Sequence, residues 1–186
     1  MGVKAKNIQA TIKLPSDYSD DELSAISQDI VNFIRARSEK GIDKNGERFK
    51  PYTIPKGKKE SPYENSLDFR LAGKTKGKVD LKLSGDMLAM LRVIDTKNNK
   101  VTIGYETSDA EAGRAEGNQI GSYGQPKANS SKARPFIGIT NDQLKAILAK
   151  YPLDNDKKRE RRAEKVNAGR DLSGAIVDEL FGEDDG

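Results

Sequence analysis

Residues 19–41 read SDDELSAISQDIVNFIRARSEKG, and this stretch sets the architecture. Ser19 followed three positions later by Glu22 forms a capping box, in which each side chain satisfies a free backbone N–H near the other and starts a helix. Leu23, Ile26, Ile30, Phe33 and Ile34 then recur at spacings of three and four, which places them on one helical face. Gly41 supplies a left-handed stop. Each aliphatic on that face contributes about 1.5 to 3 kcal/mol when fully buried, so the stripe is core. Asp20, Asp21 and Glu22 suit the helix macrodipole, which accounts for them without a metal.

Working outward, Ile8, Ala10, Ile12 and Leu14 alternate with polar residues as in a half-buried strand ending at Pro15. On the other side, Asp43-Lys44-Asn45-Gly46 is a turn. Ser84 is placed to cap a short helix bearing Met87, Leu88 and Leu91. Residues 92–96 and 100–105 read as a hairpin, with Asn98-Asn99 tolerating the left-handed backbone of a tight turn. Ser108 and Glu111 predict a second capping box, and residues 133–139 an apolar strand. Thr140 with Gln143 caps a last core helix carrying Leu144, Ile147, Leu148 and Tyr151, which Pro152 ends. The expected fold is α+β: a small antiparallel sheet against two main helices, with long flexible loops over residues 53–80 and 117–131. Residues 1–152 form the core domain; residues 153–186 are a charged and amphipathic helical arm.

Composition narrows the chemistry. The chain has no histidine, cysteine or tryptophan, so it offers no Ser-His-Asp triad, Cys-His pair or disulfide framework. We expect no catalytic residues, no cofactor and no metal. Of 186 residues 33 are basic and 29 acidic, for a net charge of +4, too little to announce a nucleic-acid binder outright. No apolar run approaches the roughly 20 residues that span a bilayer, and the first residues lack the apolar core of a signal peptide, so the expected product is cytoplasmic and makes no membrane contact.

Lysine gathers between residues 55 and 82. Lys56, Lys58, Lys59, Lys74, Lys76 and Lys78 are candidates to line a lumen and touch passing DNA, against the plainer reading of a solvated loop. Tyr52 and Tyr63 suit base stacking only if strands were separated. Gly73-Lys74-Thr75 looks like the end of a phosphate loop, but the motif needs glycine where Asp68 stands. Arg134 is a candidate for an intersubunit ion pair. Leu172, Ile176, Leu180 and Phe181 form an amphipathic end that docks either on a neighbouring subunit or back on its own domain.

Five stretches in order carry a resemblance: residues 34–49 from Ile34-Arg35-Ala36-Arg37 to Asn45-Gly46-Glu47-Arg48-Phe49; Leu83-Ser84-Gly85-Asp86-Met87-Leu88; Val101-Thr102-Ile103-Gly104-Tyr105; residues 112–117; and Arg134-Pro135-Phe136-Ile137-Gly138-Ile139. Together they resemble the phage virion morphogenesis family, which contains tail-completion proteins, over roughly residues 23–151. Relatives often carry a histidine before the glycine of the loop after the hairpin, and this chain has none. The resemblance implies a non-enzymatic virion protein of a tailed bacteriophage, assembled in the host cytoplasm as a homo-oligomeric ring, six subunits by resemblance, at the head-tail junction. Its implied partners are its own copies, the tail tube and the head-tail connector, with transient contact to DNA. The alternative is a DNA-binding accessory protein that works through the lysine-rich loop.

Overall fold

The computed structural model describes residues 8–15, 18–81, 85–123 and 127–153. Elements follow the chain as β1 (Gln9–Lys13), α1 (Asp20–Glu39), α2 (Leu67–Leu71), α3 (Asp86–Met90), β2 (Arg92–Lys97), β3 (Lys100–Gly104), α4 (Ala112–Ile120) and α5 (Asn141–Leu148). The fold is α+β.

The Ser19 capping box forms as the sequence predicts, with the Ser19 N–H donating to Glu22 at 2.8 Å and the Glu22 N–H to the Ser19 hydroxyl at 3.4 Å. Leu23, Ile26, Ile30 and Ile34 are buried on one face of α1. They meet a three-stranded antiparallel sheet of order β1-β3-β2. In β3 and just beyond it Val101, Ile103 and Tyr105 alternate inward and are fully buried, as the period of a strand requires. Asn98 and Asn99 both have positive φ, 52° and 56°, which is what a two-residue hairpin turn needs. α1 packs against β2 on one side and α5 on the other. The Thr140–Gln143 capping box also forms, and Tyr18 donates its hydroxyl to the Tyr151 carbonyl at 3.2 Å, joining the two ends of the domain.

Four expectations are corrected. Residues 133–139 form no strand: Gln119 Oε1 accepts from the Phe136 and Ile137 N–H groups at 3.0 and 3.2 Å. Arg37 donates to the Phe136 and Gly138 carbonyls at 2.6 and 3.0 Å. Side chains therefore do there what a neighbouring strand does elsewhere. The Ser108–Glu111 capping box is not formed, since α4 begins at Ala112 with Glu111 at its cap and no side-chain cap bond. Instead Asp109 accepts from the Glu106 N–H at 2.8 Å and grips Arg92, stapling this turn to β2. α4 runs on through Ile120 to Gly121 at φ 74°, so residues 117–120 are helix, not open loop.

The loop expected over residues 53–80 is the fourth. Residues 53–81 make an excursion with its own plug: Ser66 caps α2, Phe69 is buried, and Tyr52, Tyr63 and Phe69 form a cluster with centroids 4.6 to 6.3 Å apart. Three aromatic rings bury enough apolar surface to order a segment whose remaining composition is polar. The predicted Ser84 cap lies outside the described residues, as does the arm from residue 154 onward; α3 begins after Gly85 in a left-handed conformation.

Candidate functional site

Between this excursion and the α3–α4 side of the domain lies a cleft of about 590 Å³. Its wall from the excursion carries Tyr52, Tyr63 and Leu81; the opposite wall carries Met87, Asn118 and Tyr123. Volume and lining are those of a recognition site, mostly apolar with a few placed polar groups.

Arg134 holds the cleft together. It is 4% exposed, and its guanidinium donates to the Lys50 carbonyl at 2.9 Å, the Pro51 carbonyl at 3.0 Å and the Tyr123 hydroxyl. It also lies over the Tyr52 ring, 4.8 Å from the centroid. Planar, multi-donor geometry suits arginine to such a strut. Burial raises the Tyr52 and Tyr123 phenols above their ordinary value, with Arg134 opposing the rise in each. Both phenols therefore stay protonated and keep a hydrogen to donate.

Charge around the cleft is mostly positive: Lys74, Arg114, Lys132 and Arg134 line it with one carboxylate, Glu111. Lys74 pairs with Asp80 at 2.6 Å, and Arg114 with Glu111 at 3.1 Å. A single acid already held by an arginine is not the converging pair that acid-base hydrolysis uses. Among the described residues no group of three acidic, histidine or cysteine side chains is placed to hold a metal, and no helix is long and apolar enough to cross a membrane.

The six candidate lysines differ in their surroundings. Lys56, Lys58, Lys59 and Lys78 are exposed on the excursion. Lys76 reaches Glu60 at 3.1 Å and Asn65 at 2.8 Å, and the Lys74 side chain is 3% exposed in its ion pair. Gly73 follows the end of α2, so the Gly73-Lys74-Thr75 stretch lacks the strand and loop of a phosphate site. Tyr52 and Tyr63 pack against each other and against Phe69. Arg134, expected to reach a neighbouring subunit, works inward. Leu172, Ile176, Leu180 and Phe181 lie outside the described residues.

Sequence reasoning missed Glu111, Asn118, Tyr123 and Lys132 as cleft residues. Nothing in their local pattern marks them, because the excursion meets them only through long-range packing. Arg37 did leave a signal: it follows Ile34 by three positions on the apolar face of α1, where a cation needs a buried partner.

Compared with family models, curated proteins and solved structures, the chain matches none at a significant level.

Proposed function

We propose that this chain is a structural component of a tailed-phage virion, a tail-completion or neck protein that closes into a ring at the head-tail junction and enables head-tail joining, without catalysis. The ordered motifs of residues 34–139 support the family reading. The observation that carries the assembly reading is on the excursion. It is clamped to the domain by the buried Phe69 against the half-buried Tyr52 and Tyr63, yet it turns Leu67 and Leu71 outward, 60% and 76% exposed. These two lie one helical turn apart, so they share a face, and rigidly presented apolar residues favour a partner over water. β1 and β2 also flank the sheet as its edge strands, and an edge strand is a template for pairing with another chain.

In this reading subunits contact one another and the tail tube, and the connector docks on the completed ring. The test is light scattering behind size exclusion, on the chain alone and with assembled tail tubes of the same phage, followed by negative-stain imaging. Rings, or caps at one end of each tube, are expected, and Leu67→Asp with Leu71→Asp should abolish them while leaving the circular dichroism unchanged. The exposed Lys56, Lys58 and Lys59 favour one rival, an accessory protein on DNA. A monomer that ignores tubes but binds duplex DNA, with affinity falling steeply as salt rises, would replace the virion reading with that one.

A further inference from the structure

We propose that residues 171–186 of this chain dock in the cleft of their own subunit, so that the cleft is a receptor for an acidic, apolar peptide segment. The inference does not depend on ring formation. It uses only the cleft, the sequence beyond it and the length between them.

The cleft supplies two complementary features. Its walls are apolar and aromatic, with Tyr52, Leu81, Met87 and Tyr123 facing the cavity. Its charge is unbalanced: Lys74 and Arg114 have carboxylate partners, whereas Lys132 is exposed at the rim, and Arg134 is oriented by carbonyls and a phenol that leave its charge in place. Buried, oriented cations beside apolar walls favour a ligand that brings carboxylates next to hydrophobic side chains.

Residues 171–186 have that chemistry. After Arg170 the sequence contains six carboxylates, Asp171, Asp178, Glu179, Glu183, Asp184 and Asp185, and no lysine or arginine. Interleaved with them are Leu172, Ile176, Leu180 and Phe181. A cavity of about 590 Å³ accepts a few such side chains, and Leu180-Phe181 brings two large ones between acids on either side.

Reach favours the same subunit. The 17 residues 154–170 separate the described domain from this segment. A stretch of that length can reach up to about 60 Å when extended, against a radius of gyration near 15 Å for a domain of about 150 residues. Tethering gives an effective concentration of order millimolar, so weak individual contacts suffice, and a neighbour's copy competes poorly in dilute solution.

The absence of native cysteine makes the test clean. Ser173→Cys in the full chain carries one nitroxide, and paramagnetic broadening of amide signals is read on isotope-labelled protein. Signals of Lys74, Arg114, Asn118 and Lys132 should fall severalfold, while Ser24 and Gln28, in a separate groove beside β2, keep theirs. Leu180→Asp, or Arg114→Glu with Lys132→Glu at the exposed rim, should restore the lost intensity. Three results would overturn the proposal: undiminished cleft signals, broadening that survives both sets of substitutions, or broadening only where nitroxide and isotope are on different molecules.

Discussion

Residues 100–105 and 133–139 both read in the sequence as short apolar strands, and only the first forms one. β3 is hydrogen-bonded on both sides, to β1 and to β2, by continuous backbone ladders. The second stretch is held by the side chains of Arg37 and Gln119, 99 and 17 positions from the Phe136 groups they bind, together with the Lys44 N–H on the Pro135 carbonyl. Buried backbone groups must be satisfied in either case. The difference is that a sheet distributes this over many interchangeable partners, whereas the backbone groups of residues 136–138 depend on two particular side chains. A strand is accordingly vulnerable where its backbone approaches another, and the second segment where a single side chain is lost.

The largest effect should come from Gly104, at the end of β3. A methyl there would meet the Ile8 carbonyl oxygen at 2.0 Å and the Gln9 Cα at 2.8 Å, at φ +154°. Gly104→Ala should cost more than about 4 kcal/mol and abolish the cooperative urea transition followed by circular dichroism. Breaking the other segment comes next. Arg37→Leu removes the donor from Phe136, Gly138 and the Gln143 side chain, and should cost about 3 to 5 kcal/mol in the same melts; an unchanged midpoint would show that the segment is held by packing alone. Gln119→Leu, which strips two N–H groups of their acceptor, should cost about 2 to 3 kcal/mol.

Alkaline pH sharpens the contrast with the smallest effect per group. Burial raises Tyr105, beside the strand, and Tyr52, Tyr63 and Tyr123, around the cleft, above the usual 10.0. The unfolded chain therefore loses these protons first, and their stabilisation, intact below pH 10, is lost as pH rises, at up to about 1.4 kcal/mol per pH unit for buried Tyr105. Burial lowers Arg37, but a guanidinium donating to the Phe136 and Gly138 carbonyls and to the Gln143 side chain keeps its proton. Urea midpoints should fall above pH 10, in the wild type and in Arg37→Leu alike.

The same division decides what was legible in the sequence. α1, the Asn98-Asn99 hairpin and the Thr140 cap are settled by residues a few positions apart, and their patterns read directly. Residues 133–139 look like a strand because apolar content reports burial, not which group satisfies the backbone. The plug of the excursion was invisible for a related reason: Tyr52, Tyr63 and Phe69 have no helical or strand period, so nothing local announces that they meet. The cleft inherits that blindness, since one of its walls is the excursion itself.

Gly41 ends α1, and two chain segments converge on it. The Phe49 N–H donates to its carbonyl at 2.8 Å, and the Val79 carbonyl oxygen sits where a Cβ would lie only 2.5 Å away. The segment leading into the excursion and the one leaving it thus meet at a single residue that must lack a side chain. That makes residues 53–78 a cassette clasped at its base. Its length can change at an entropic cost that grows only with the logarithm of the number of residues, so the surface it displays can be exchanged while the domain beneath keeps its shape.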